Sequence, residues 1–254
     1  MKVSIITVTY NSALTLRDTI ESVKNQSYPN IEHIIIDGVS KDDTVQIARS
    51  YGHLKVISEP DKGLFDAMNK GILLATGEVI GVLNSDDFFT HNNCVSIIVD
   101  ELKKSGADAV HGDVGFVNPD NLTKMVRHFS SKNFKLKKFT KGYTPPHPSF
   151  YAKKECYDKY GLFNADYRIA ADYELMMRFM FTHKISTHYI DEILVYMRTG
   201  GISNKSLKNR YNLNKEIIRA CKDNGVKTNM VSILSKYFIK MFEYIEPALK
   251  NKRG

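Results

Sequence analysis

Two rhythms of apolar residues alternate through the first 112 positions. Short runs rich in β-branched residues, at 3–10, 31–37, 54–58, 79–83 and 109–111, predict strands. Between them, apolar residues at helical spacing predict helices over 13–25, 43–51, 64–75 and 92–104. In the first helix Leu16, Ile20 and Val23 share one face, and Asn11 or Ser12 offers a side-chain cap. The uninterrupted Ile34, Ile35 and Ile36 suit a strand covered on both faces.

Strand and helix alternating through short links predict an α/β fold, a doubly wound and mostly parallel sheet. Such sheets bind ligands outside the carboxyl ends of their strands. Four polar stretches lie at those ends: Tyr10-Asn11, Asp37, residues 59–62, and residues 84–87. Beyond 112 the alternation loosens. Strands near Phe116, Met125 and Phe150, a Pro-restricted loop at 144–148 and a helix over 173–181 predict a mixed second half. Two helices follow, near 207–222 and 230–244. The expected organisation is one domain over 1–203, with halves at 1–112 and 113–203, and a basic helical extension over 204–254.

Charge sharpens this division. The net charge is +8. Residues 204–254 hold 12 Lys or Arg against 4 Asp or Glu, so the whole excess lies in the extension and the first 203 residues are neutral. A basic tail implies an anionic partner. Val231, Leu234, Phe238, Met241, Phe242 and Ile245 form an apolar helical face flanked by Lys236 and Lys240. Two readings fit it: peripheral contact with an anionic membrane, or packing on the domain or another subunit. A nucleic-acid partner is not expected, because no recognised binding motif accompanies the charge. Cys94, Cys156 and Cys221 lack metal-ligand spacing and are expected to be idle thiols in a reducing compartment. The N-terminus does not read as a signal peptide and no apolar run is long enough to span a bilayer, so a cytoplasmic protein is expected.

Four stretches carry candidate chemistry, each with a plainer alternative. Asn84-Ser85-Asp86-Asp87 follows a buried strand and offers oxygens to a hard cation; it also reads as a polar turn. Asp37 ends a strand where a carboxylate can accept a pyrimidine imide N–H, or merely hold a turn. Lys62 and Gly63 open a helix whose N-terminus can face phosphate, with Asp66 one turn on; a solvated loop is the alternative. Asp172 stands at a helix start, where it can act as a general base or as a cap.

Taken in order, these stretches resemble glycosyltransferase family 2, the inverting nucleotide-sugar transferases of the GT-A fold. The matching segments are residues 3–11, residues 36–44 around Asp37-Gly38-Val39-Ser40, residues 75–87 ending in a DxD-like motif, and Ala171-Asp172-Tyr173-Glu174-Leu175. The resemblance spans roughly residues 1–200. It implies a GT-A fold and a metal-dependent hexosyl transfer from a nucleoside-diphosphate sugar, UDP favoured, to an acceptor hydroxyl. By that resemblance Thr9, Tyr10 and Asn11 line the nucleotide pocket with Asn84 and Ser85, and Asp37 holds the base. Asp86 binds Mn or Mg, and Asp172 is the catalytic base. Lys62, Gly63 and Asp66 line the donor site. His147 and Arg198 are candidate contacts to acceptor or diphosphate, Arg198 on a segment over 198–203 that closes over the diphosphate. The implied setting is bacterial surface polysaccharide assembly, with a saccharide acceptor that a lipid carrier would bring to the inner face of the plasma membrane. One position departs from the motif: Asn84 stands where its first aspartate is expected, and offers a neutral carbonyl oxygen instead.

Three other classes compete. A sugar nucleotidyltransferase needs a Gly-rich loop after the first strand, and Thr9-Tyr10-Asn11-Ser12-Ala13 has none. The missing GxGxxG excludes a dinucleotide oxidoreductase in the same way. A catalytically silent nucleotide-sugar-binding scaffold would keep donor binding and lose turnover.

Overall fold

The structure is a computed structural model that describes residues 1–200 and 207–235. The strands are β1 (Val3–Thr9), β2 (Ile31–Asp37), β3 (Lys55–Ser58), β4 (Val79–Val82), β5 (Asp87–Phe89), β6 (Ala109–Asn118), β7 (Asn121–Phe129), β8 (Phe150–Lys153) and β9 (Thr187–Arg198). The helices are α1 (Leu16–Lys24), α2 (Thr44–Arg49), α3 (Leu64–Leu74), α4 (Cys94–Ser105), α5 (Lys154–Tyr160), α6 (Ala171–Met177) and α7 (Leu207–Asp223). One sheet runs in the order β3-β2-β1-β4-β8-β6-β9-β5, with β7 paired to β6. β1 to β4 are parallel neighbours, and β6 and β9 run the same way. β8, β5 and β7 are antiparallel to their neighbours. The sheet is mostly parallel and mixed in its second half, as the alternation predicts.

Every residue of β1 is buried because helices cover both faces. Ile6, Val8, Ile34 and Ile36 meet Phe65, Met68 and Ile72 of α3 on one side. On the other, Ile5 and Val79 pack with α4, and Ile35 packs with Leu16 and Ile20 of α1. Gly81 of β4 stands opposite Tyr151 of β8, and a Cβ there would sit 1.9 Å from the buried ring. Only glycine lets that ring lie across the strand.

Several boundaries differ from the sequence expectation. α1 starts at Leu16 after a turn over 13–15, and no side chain caps it; Asn11 and Ser12 bond elsewhere. Periodicity did not reveal β5, β9 or α5. β6 runs through the expected boundary at 112, so both halves share one sheet. α7, assigned to the extension, puts Ile217, Ala220 and Cys221 into the same core as α6. Residues 230–235 are helical as expected, with Val231 exposed. The remainder of that basic face, from Lys236 through Ile245, lies outside the described residues. All three cysteines are free and buried. Among the described residues no helix is long and apolar enough to cross a membrane.

His33 in β2 is buried, with Nε2 3.0 Å from the Thr7 hydroxyl. Burial, aided by His53, lowers its pKa to about 3. The unfolded chain therefore binds a proton that the fold refuses, and this histidine's share of stability falls as pH drops from about 6.5 towards 3. A His33→Gln variant removes that share. Its stability relative to wild type should improve by about 1.4 kcal/mol per pH unit across this window. Urea denaturation at stepped pH reads the difference, and parallel curves would refute the assignment.

Candidate active site

The carboxyl ends of β1, β2 and β4 are stapled to one another by hydrogen bonds of polar side chains. Thr9 is buried, Tyr10 is 60% exposed, and Asn11 takes a positive φ of 49°. The Asn11 N–H donates to Ser40 Oγ (2.8 Å), and its side-chain oxygen accepts from the Lys41 N–H (2.8 Å). The Ser12 N–H donates to Thr44 Oγ1, and Ser85 Oγ donates to Ser12 Oγ at 2.9 Å. The three strand-end loops thus form a single rim.

Asp37 is fully buried. Its carboxylate accepts from the Ser40 N–H (3.0 Å), the Ser40 hydroxyl and the Ser58 hydroxyl (2.6 Å). These bonds make Asp37 the holder of the turn at the end of β2 and use three of its carboxylate's acceptor positions. The turn carries Val39 at a φ of 63°, a conformation that a β-branched residue rarely adopts and that the Asp37–Ser40 bonds help impose.

Two carboxylates shape the start of α3. Asp61 Oδ1 accepts the Gly63 N–H (2.8 Å) and Asp66 Oδ2 accepts the Lys62 N–H (2.9 Å). These carboxylates place negative charge beside the N-terminus of α3, while no side chain caps the helix itself. The side chain of Lys62 is exposed and has no carboxylate partner among the described residues.

After β4 the two adjacent aspartates part. Asp87 turns inward and is buried, accepting from Asn84 Nδ2 at 3.0 Å. Burial, and then the charge of Asp86, push its carboxyl well above the usual range. Asp87 therefore serves the fold, opening β5 against β9. Asp86 is half-buried, and its carboxylate has no cationic partner among the described residues. Arg198, at the end of β9, donates to the Asp86 carbonyl (2.5 Å), pairs with Asp18 and lies over the Phe88 ring. In this structure it buttresses the Asp86 backbone rather than standing free for a diphosphate. Gly201, Ile202 and Ser203 lie outside the described residues.

Asp172 sits in the first turn of α6, with 30% of its side chain exposed. Its Oδ1 accepts the Tyr173 N–H (2.8 Å), and Oδ2 lies 3.7 Å from His147 Nδ1. Burial raises its carboxyl above the usual range, and His147 partly offsets this. Burial also lowers the His147 pKa, while Asp172 and Asp86 push it back up. One imidazole thus feels both carboxylates, Asp86 from the nucleotide-type half and Asp172 from the second half. His147, Asp172, Val82 and Met176 line a shared recess.

Periodicity did not reveal what aims Asp172. Glu216 of α7 accepts the N–H groups of Arg168 (3.1 Å), Ile169 (2.8 Å) and Ala170 (2.9 Å), fixing the segment that enters α6. A glutamate 44 positions beyond Asp172 leaves no local sequence signal. Asn69 of α3 ties the halves in a similar way. It donates to the Phe163 carbonyl (2.8 Å) and accepts the Phe163 N–H (2.9 Å).

Three buried polar atoms in these loops have no hydrogen-bond partner among the described residues: Thr9 Oγ1, Asn84 Oδ1 and His147 Nε2. Orphans of this kind are rare in a finished core and mark places that a ligand or solvent completes.

Residues 4–154 match the Glycosyl transferase family 2 pattern. The chain is a family 2 glycosyltransferase. It is 37% identical over 180 residues to the uncharacterized glycosyltransferase Rv1514c of Mycobacterium tuberculosis, covering 69% of this chain and 68% of that one. Its fold superposes on S. aureus TarS 1-349 in complex with UDP-GlcNAc. The TM-score is 0.72 at 18% identity, over 96% of this chain and 73% of that one. It also superposes on the mannosyltransferase PcManGT of Pyrobaculum calidifontis in complex with GDP-Man and Mn2+. There the TM-score is 0.65 at 17% identity, over 87% of this chain and 63% of that one. These likenesses establish the GT-A architecture of this family 2 glycosyltransferase.

Proposed function

We propose that this glycosyltransferase moves a hexosyl group from a UDP-sugar to an acceptor hydroxyl with inversion at the anomeric carbon, Asp172 acting as base. The observation that carries the reading is the approach of His147 Nδ1 to within 3.7 Å of the Asp172 carboxylate, in a recess that Val82 at the end of β4 also lines. It supports a cleft in which the donor diphosphate and the acceptor hydroxyl meet. The exposed Tyr10 ring and the turn held by Asp37 would wall the nucleotide base.

The donor atoms present suit a divalent metal, Mn or Mg. Asp86 offers a carboxylate with no cationic partner among the described residues, and Asn84 Oδ1 and His147 Nε2 are buried there without a hydrogen-bond partner. Among the described residues, no group of three His, Cys, Asp or Glu forms an all-protein cage. A hard cation at Asp86 would take its remaining ligands from phosphate and water. When bound, the metal would neutralise charge on the departing diphosphate.

Asp172 takes the proton of the acceptor hydroxyl as that oxygen attacks the anomeric carbon from the face opposite the nucleotide. The Tyr173 N–H orients the Asp172 carboxylate through Oδ1, and His147 Nδ1 lies 3.7 Å from Oδ2. Lys62 supplies a mobile positive charge to the leaving group. Surface polysaccharide assembly on a lipid-linked acceptor is the setting that the family resemblance favours.

Slow hydrolysis of a UDP-α-sugar, with water as acceptor, tests this. Proton NMR of the first-formed sugar should show the β anomer ahead of mutarotation. Release of the α anomer would overturn the inverting mechanism.

A further inference from the structure

A second cavity, of about 290 Å³, opens in the other half of the sheet, between β7 and the segment leading to His147. Its volume lies near the lower end of the ~300–1,000 Å³ typical of small-molecule sites. Arg127, His128 and Lys138 line it together with Phe129, Phe134 and Tyr143. The local sequence is unusually one-sided. From Asn121 to Lys154 there are nine lysines or arginines and no aspartate or glutamate. The neutrality of the first 203 residues conceals this island.

The lining charges are available. Arg127 is held over the Phe116 and Phe129 rings, at 4.9 and 5.7 Å, and neither it nor Lys138 has a carboxylate partner among the described residues. Asp113, the carboxylate bonded to the rim, is buried and already engaged. It accepts from His128 Nε2 (2.8 Å), the Ser131 N–H (2.9 Å) and the Tyr189 hydroxyl (3.1 Å). His128 is thereby fixed in direction. Phe134 packs edge-on against Phe139, which packs edge-on against Tyr173, the neighbour of Asp172. Thr144 lines the cavity, while His147, three residues along the same loop, contacts Asp172.

We propose that this cavity binds an anionic saccharide, a sugar bearing a carboxylate or phosphate, and thereby selects the acceptor. Arg127 and Lys138 meet the anionic group, and the aromatic side chains face the apolar side of the sugar ring. The acceptor role rests on the transferase reading of the neighbouring cleft; the ligand class does not.

Calorimetry on the full chain tests both parts. The probes are trigalacturonate, glucose 6-phosphate and neutral maltotriose, each at one ionic strength, with UDP and Mn titrated separately. At least one anionic probe should bind more tightly than maltotriose, and which one binds separates carboxylate from phosphate recognition. Arg127→Gln and Lys138→Gln should each weaken that binding by about tenfold, the loss expected for one charge-assisted contact. Their affinity for UDP and Mn should be unchanged. Lys137→Gln, in the same basic segment but outside the lining, should change it by less than about twofold. Equal binding of maltotriose, or an equal loss in Lys137→Gln, would overturn the proposal. So would binding of UDP and Mn with no anionic probe bound. Anionic binding without nucleotide binding would uphold the ligand class and overturn the transferase reading.

Discussion

Asp172→Asn should lower kcat by about 10²–10⁴-fold, the usual contribution of a positioned general base, and leave the donor KM nearly unchanged. Asparagine keeps the shape of the side chain and can still accept the Tyr173 N–H, bonded at 2.8 Å in the wild type. It cannot take a proton. The fold should not suffer, because burial already disfavours the ionised Asp172 and a neutral isostere relieves that cost. In the wild type the same burial raises the Asp172 carboxyl. Activity should therefore rise with pH as this group ionises, with a midpoint above the ordinary ~3.9 of an aspartate. Steady-state nucleotide release over a pH series reads both effects. A variant within about tenfold of wild-type kcat would remove Asp172 from the base role.

Asp86→Ala should abolish the metal-dependent part of nucleotide affinity. A loss of about 100-fold corresponds to about 2.7 kcal/mol. The reason is local. The Asp86 carboxylate has no cationic partner among the described residues, so its removal strands no partner. The Arg198 contact is to the backbone carbonyl and survives the substitution. Adding EDTA to the wild type should reproduce the loss, and adding it to the variant should change nothing further. Asp87 is different in kind: it is buried and accepts from Asn84, so a defect there would report on folding.

The parallel half of the fold was legible because β1, β2 and β4 are largely or wholly buried. Ile34, Ile35 and Ile36 can be read only as a buried strand, and 0–1% exposure bears that out. The second half was less legible because its strands pair at long range. β9 lies beside β6 some 80 residues earlier, and β5 is three residues long. The site divides along similar lines. Asp86 and Asp172 stand out as carboxylates at element ends, and the structure brings Asp172 to within 3.7 Å of His147. Asp37 also stands out, yet its sequence says nothing of the Ser40 and Ser58 hydroxyls that close around it. Glu216 is silent in the sequence because it acts on Arg168 to Ala170 from another helix. Arg198 was legible as a cation near the site, but its partner Asp18 lies 180 positions away.

The most direct measurement is calorimetric titration of UDP, dTDP and GDP into wild type, Asp172→Asn and Asp86→Ala, each with Mn or with EDTA. The account predicts Mn-dependent binding, tightest for UDP, that Asp172→Asn retains and Asp86→Ala loses. No nucleotide binding to folded wild type, or Mn-dependent binding that survives in Asp86→Ala, would contradict it.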